Sequence, residues 1–255
     1  RFAWTSVAIR EDTFTVGERN AASLAVQSNL DAAVASLHLG ELPASVSIAI
    51  VGAGFAGLSV AAKSIQSGEL DIGILEGGEA IGGVWRMHAN AFSRVNSSEP
   101  GYRLRVVRKN PSTNHEYQHE MIDDICAAVK QHRLANRMYL QSEVHSVRAK
   151  GGHGSGWLVA GLSRKAGDFV IGCELVALCT SRRLGAPRNI QYPGEDRYRH
   201  FVCRGLAGDN VAAPWKGAQV LILGMGAFAV EQIRTGVEHG ASRVRILCRR
   251  HGLVC

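Results

Sequence analysis

The sequence lacks an uninterrupted apolar run long enough to cross a membrane, since its most apolar stretch, residues 45–65, is broken by Gly52, Gly54, Gly57 and Lys63. Nor does a basic segment lead into an apolar one near its start, so no secretory signal is read. The six cysteines, Cys126, Cys173, Cys179, Cys203, Cys248 and Cys255, form neither a CxxC pair nor a zinc-ligand spacing. A dithiol redox centre is therefore not expected, and a reducing, cytoplasmic compartment is. No Gly-x-Ser-x-Gly turn is present, which leaves nucleophilic hydrolysis without a motif. His115 and His119 have helical spacing but no His-Glu-x-x-His context, so no metal is expected. The basic run Arg103 to Lys109 has no companion nucleic-acid motif and reads as solvated surface.

What the chain has in excess is glycine, 29 of 255 residues, against a usual share of about 7%. The remaining composition, 46% hydrophobic and 20% charged, is that of an ordinary globular protein. Lys and Arg number 29 against 22 Asp and Glu, and the net +7 favours anionic partners such as phosphate groups.

The glycines fall into a pattern. Residues 1–45 read as a helical extension, with a helix over Glu18 to Leu39. Val46 to Val51 is short, β-branched and apolar, as a parallel strand covered on both faces should be, and it runs into a glycine turn and a helix from Gly54 to Gln66. Asp71 to Leu75 supplies the next strand, completing a βαβ unit. A long connection, residues 77–98, is expected to fold around a bound group. Glu120 to His132 reads as a helix. Four strand-like runs follow, Tyr139–Lys150, Trp157–Leu162, Asp168–Ile171 and Leu175–Cys179, as a small antiparallel insert that returns to the main sheet. The βαβ pattern then recurs: Gln219 to Leu223 as a buried strand, Gly224 to Glu238 as turn and helix, Ser242 to Cys248 as a strand. The expected fold class is α/β, with two Rossmann-like dinucleotide-binding units in three layers. The boundaries are a first unit over 46–181 and the start of a second over 182–255.

The chemistry lies in the two turns. In Gly52-Ala53-Gly54-Phe55-Ala56-Gly57, Gly52 permits a tight turn and Gly54 leaves room for a pyrophosphate at the helix N-terminus. Gly57 lets helix and strand pack closely, and Glu76, ending the second strand, can accept the ribose hydroxyls. The second turn, Gly224-Met225-Gly226-Ala227-Phe228-Ala229, has Ala229 at the third glycine position and Arg249 with Arg250 where an acid would stand. A basic residue there suits a 2′-phosphate, hence NADPH. Two sites of opposite preference imply two dinucleotides, one held and one exchanging.

These residues, together with Gly82-Gly83-Val84-Trp85 and Tyr192-Pro193-Gly194, resemble the flavin-containing monooxygenases and the related Baeyer–Villiger and N-hydroxylating monooxygenases. The resemblance runs from Val46 to Arg250. It implies FAD on Gly52, Gly54, Gly57 and Glu76, with Gly82, Gly83 and Trp85 beside the flavin. It also implies NADPH on Gly224, Gly226, Ala229 and Arg249. The implied reaction transfers one oxygen of O₂, through a flavin C4a-(hydro)peroxide, to a small nucleophilic N or S substrate. Thr180-Ser181 falls where these families have an interdomain hinge. Two departures are informative. The Baeyer–Villiger signature Phe-x-Gly-x-x-x-His becomes Tyr198-Arg-His200-Phe-Val-Cys-Arg204, and an aspartate of that class is replaced by Asn96, the candidate catalytic residue, which can hydrogen-bond but brings no charge. Members of these families are considerably longer, so the chain is expected to be a fragment or a truncated member. The alternatives are an FAD- and NAD(P)H-dependent oxidoreductase without oxygen transfer, and an inactive dinucleotide-binding module acting through protein contacts.

Overall fold

The computed structural model describes residues 41–97, 102–107, 115–152, 154–181, 190–206 and 208–249. The helix expected over Glu18 to Leu39, the basic residues Arg108, Lys109 and Arg250, and Cys255 lie outside them.

The first unit opens with β1 (Ser45–Val51), α1 (Phe55–Gln66) and β2 (Ile72–Leu75). The connection after β2 carries one short helix, α2 (Val84–Met87), and leads to α3 (Gln118–Gln131), a 3₁₀ turn at Ala135–Arg137, and β3 (Met138–Tyr139). Three longer strands complete it: β4 (Ser142–Ala149), β5 (Trp157–Ser163) and β6 (Gly167–Leu178). They form one six-stranded sheet in the order β3-β2-β1-β6-β5-β4. The β3, β2, β1 and β6 neighbours are parallel, while β5 is antiparallel to both β4 and β6.

The two strand runs expected on either side of Gly172 are one twelve-residue strand. Its first half pairs with β5 as far as Cys173, and its second half pairs with β1 from Gly172 to Leu178. The antiparallel insert therefore continues the parallel sheet, and the glycine is absorbed where β6 exchanges one partner for the other. The main core lies where α1 and α3 cover this sheet: Leu58 and Ala61 from α1 and Met121, Ile122 and Ile125 from α3 pack on Ile50, Ile72 and Ile74. The apolar residues of α1 and α3 sit at helical spacing, so each helix presents a continuous stripe to the strands.

The second unit contains β7 (Gln219–Leu223), α4 (Ala227–Glu238) and β8 (Arg243–Leu247), with β7 and β8 parallel in register. The expectation that 219–223 would be a buried strand is not met, since Leu221 is 61% and Leu223 48% exposed and Ile246 and Leu247 on β8 are exposed as well. Among the described residues this sheet has two strands, so the apolar pattern that specifies a two-sided covering meets protein mainly on the α4 side. No helix among the described residues is long and apolar enough to cross a membrane.

Candidate dinucleotide-binding site

The first glycine turn has the geometry its sequence requires. Gly52 sits at φ +107°, and a Cβ on it would stand 2.9 Å from the Cys179 carbonyl oxygen at the end of β6. A Cβ on Gly57 would stand 1.8 Å from the Gly52 carbonyl oxygen, so the first turn of α1 packs directly on the chain that leaves β1. Gly54 is the N-cap of α1, without a side-chain cap and without an acid in the first turn. The opening N–H groups of a helix have no carbonyl partner within it, and here no side chain of the turn competes for them, which is what an anion-binding helix end needs.

Glu76 is fixed beside this turn. Its Oε2 accepts from the Ala53 N–H at 2.7 Å and its Oε1 from the Gly78 N–H at 2.8 Å. Each carboxylate oxygen keeps a second acceptor position for a ribose hydroxyl. Gly82 and Gly83 also touch this turn. The Gly82 N–H donates to the Ala53 carbonyl at 3.0 Å, and a Cβ on Gly83 would come within 3.0 Å of the Gly54 Cα. The pair braces the first glycine turn from outside, and α2 then projects Trp85 inward, where it is buried.

Trp85 belongs to an aromatic group that sequence reasoning missed. Its Nε1 donates to the Tyr102 hydroxyl at 3.1 Å, and the Tyr102 ring stacks on Phe55 with centroids 4.4 Å apart and planes 9° from parallel. Phe55 is the first residue of α1, inside the glycine motif. Its presence there was the available signal; its partner lies 47 positions downstream and carried none.

The second turn repeats the first more openly. Gly224 has φ +116°, its N–H donates to the Leu247 carbonyl at 2.8 Å, and Gly226 is the N-cap of α4, again without a side-chain cap or an acid in the first turn. A Cβ on Gly224 or Gly226 would meet nothing within 4 Å. Ala229, in the third glycine position, is partly buried, and Arg249 is exposed just beyond the end of β8.

Between the two units lies a cleft of about 300 Å³ whose walls include Trp85, Tyr102, Asn96 and Val95 from the first unit and Ala227 and Phe228 from the second. The structure thus brings Trp85 and Asn96 together with the N-terminus of α4. Glu76, Gly82, Gly83 and Arg249 do not line this cleft. Asn96 donates from Nδ2 to the Ala227 carbonyl at 3.0 Å, while its Oδ1 is buried without a hydrogen-bond partner. An orphaned buried acceptor costs about 1–3 kcal/mol unless a donor reaches it. The cleft thus joins an aromatic wall, this acceptor and the N-terminus of α4, while α1 reaches it only through the stacking of Phe55 on Tyr102. Two other ionisable groups are shifted at or near the site. Burial pushes the Glu231 carboxyl in the cleft wall above the usual carboxylate range, and burial likewise raises the Cys179 thiol beside the first turn.

Comparison with solved structures agrees with this architecture. An oxidised steroid monooxygenase bound to NADP is 20% identical, with 79% of this chain matching 38% of that one at a TM-score of 0.55. An S-allyl-L-cysteine S-oxygenase from Allium sativum is 23% identical over 82% of this chain and 52% of its own, TM-score 0.55. A bacillithiol disulfide reductase from Bacillus cereus is 20% identical over 80% of this chain and 59% of its own, TM-score 0.56. The likeness is one of fold, and the chain spans about two fifths to three fifths of these structures' lengths. No curated protein sequence matches. A family model described as lycopene cyclase protein matches residues 47–189, which hold the first glycine turn, Glu76, Trp85, Asn96 and all but the first two residues of the six-stranded sheet. That span is more than half of the 255 residues, and the chain, built on the two-unit fold shared with flavin monooxygenases, belongs to this family.

Proposed function

We propose that the chain is the dinucleotide-binding part of an FAD-dependent, NADPH-utilising monooxygenase that transfers one oxygen atom to a small nucleophilic nitrogen or sulfur substrate. The observation that carries this reading is a pair of uncapped, glycine-opened helices, α1 and α4, one in each unit, with an aromatic-walled cleft between the units that α4 lines directly and α1 reaches through the stacking of Phe55 on Tyr102. In this reading the N-terminus of α1 faces the FAD pyrophosphate, Glu76 takes the ribose, and Trp85 with Tyr102 walls the ring end. Gly224, Gly226 and Ala229 shape the NADPH turn, and Arg249 meets the 2′-phosphate. FAD held by these residues would supply the redox chemistry that links NADPH to O₂. The chain's own contribution is to hold the rings in register, to keep water from the cleft, and to offer the Asn96 amide as an uncharged hydrogen-bonding group there.

For a thioether the balance is R₂S + O₂ + NADPH + H⁺ giving R₂SO + H₂O + NADP⁺. The second glycine turn favours this over the ring closure in the family's name, because a cyclisation consumes no NADPH and the family match stops before Gly224. The likeness to a disulfide reductase supports the second reading, an oxidoreductase without oxygen transfer. Supplying the FAD-loaded chain with NADPH, O₂ and a thioether separates them. Sulfoxide formed in step with NADPH consumed supports the monooxygenase; NADPH consumed with hydrogen peroxide as the sole oxygen product refutes it.

A further inference from the structure

The first unit meets the helix of the second largely through one loop, residues 90–97. Ser93 Oγ donates to Glu231 Oε1 at 3.1 Å, and the Arg94 backbone N–H donates to the same carboxyl. Asn96 Nδ2 donates to the Ala227 carbonyl, Arg234 donates to the Phe92 carbonyl at 3.0 Å, and the Arg94 guanidinium stands 3.6 Å from the Glu238 carboxylate. Residues 227, 231, 234 and 238 recur at three- and four-residue intervals, so they occupy one face of α4. On that face Glu231 is buried, Arg234 and Glu238 are partly buried, and the side chains they offer the loop are polar. A permanently fused interface is more often apolar, whereas a polar one between domains leaves relative movement open.

Glu231 is the hub of this face. It is 6% exposed, lines the cleft, and is the carboxyl that both Ser93 and Arg94 reach. Beside it, Asn90 donates to Asn210, and Asn210 in turn donates to Gln232 at 2.7 Å, which ties the preceding segment to the same junction with neutral groups.

We infer that Glu231 is a positioning residue that docks the helix of the second dinucleotide turn onto the loop carrying Asn96, and so sets the separation of the two turns across the cleft. The inference rests on the proposed function only in taking the cleft as the place where two dinucleotides meet. Because Ser93 and Asn96 are three residues apart on one short loop, anchoring the first fixes where the Asn96 amide stands.

The junction is also linked to protons. The charged group that acts on Glu231 is Arg234 from its own helix; further along the same junction Glu238 pairs with Arg94 and Arg234, and the His239 ring packs against Phe92 at 4.5 Å. Desolvation outweighs the Ser93 and Arg94 hydrogen bonds and the Arg234 charge, so the docked carboxyl holds its proton above the ordinary range. An undocked Glu231 meets water and titrates normally. Docking is therefore strongest below the ordinary carboxylate pKa and weakens as pH rises through the raised one.

The Arg94 amide reports this directly in hydrogen exchange on the protein without added ligand. Glu231→Ala should lower its protection by at least about tenfold, while the Val95 amide, which donates to the Glu116 carbonyl, and the Gly52 amide, which donates to Leu75, keep theirs. Ser93→Ala, made from the loop side, should lower it in the same direction by less, and serves if Glu231→Ala does not fold. Wild-type protection should fall with rising pH after correction for intrinsic exchange, and Glu231→Gln should abolish that dependence. Unchanged Arg94 protection in both alanine variants, or an equal pH dependence in Glu231→Gln, overturns the inference. In the FAD-loaded protein, Glu231→Ala should slow flavin reduction by NADPH without changing FAD affinity. A chain that takes up no FAD yet shows the exchange pattern refutes the proposed function and leaves the positioning role standing.

Discussion

Replacing Gly57 by alanine puts the reading of the first turn under the greatest strain. The added Cβ would lie 1.8 Å from the Gly52 carbonyl oxygen and 3.0 Å from its carbon, both backbone atoms that no side-chain rotation can move aside. Real Cβ contacts stop near 3.0 Å, so α1 must retreat from β1 by about 1.2 Å or more. Leu58, the next residue, and Ala61 are fully buried on that helix, and the retreat withdraws them from Ile50 and Ile74. Overpacking on this scale costs about 3 kcal/mol, or a fall of about 6–12 °C in melting temperature. The control is Gly226→Ala in the second turn. There the backbone, φ −95° and ψ −176°, suits any residue, and a Cβ meets nothing within 4 Å. Its effect on stability should stay within about 0.5 kcal/mol, while NADPH affinity drops at least about tenfold because the methyl occupies the approach of the pyrophosphate. Thermal melts followed by circular dichroism, with NADPH titrations alongside, compare the two. A Gly57→Ala protein that melts with the wild type, or a Gly226→Ala protein that is equally destabilised, refutes the reasoning.

Glu76→Ala leaves the Ala53 and Gly78 N–H groups without their acceptor; stability should fall by about 1–3 kcal/mol in urea titrations, with FAD affinity reduced more than NADPH affinity. Arg249→Ala should raise the NADPH concentration needed for half-maximal flavin reduction about tenfold and leave that for NADH unchanged, measured by initial rates with each nucleotide. Burial, with Asp123 adding to it, pushes the Cys126 thiol up to about 11 from an ordinary 9.0. At pH 8 its thiolate share is then about 100-fold below that of an unshifted thiol, so mass spectrometry should find Cys126 alkylated by iodoacetamide correspondingly slowly until urea unfolds the chain.

The elements most legible in the sequence are those where backbone geometry dictates residue type. Gly52 must hold a positive φ and Gly57 must admit a carbonyl oxygen, so these positions announce the turn whatever surrounds it. Glu76 was legible because the length of a βαβ unit fixes where the second strand ends. The β6 strand was read as two runs that leave out Gly172, Cys173 and Glu174, when its pairing to β5 on one side and β1 on the other carries the strand through them. The exposure of Leu221 and Leu223 was illegible for a related reason: an apolar run states what a strand can bury, and only the number of neighbouring strands and helices states what it does bury. The Phe55–Tyr102–Trp85 group and the polar face of α4 depend on contacts between distant segments. Glu231, Arg234 and Glu238 read locally as an ordinary solvated helix face, and become a buried junction only when the 90–97 loop is laid against them.

Titration of the purified protein with FAD, followed by the flavin absorbance that stays with the chain after gel filtration, tests the central claim most directly. The account predicts saturable uptake of one FAD per chain, weakened in Glu76→Ala and bleached by NADPH under anaerobic conditions. A well-folded protein that retains no FAD at any concentration contradicts it.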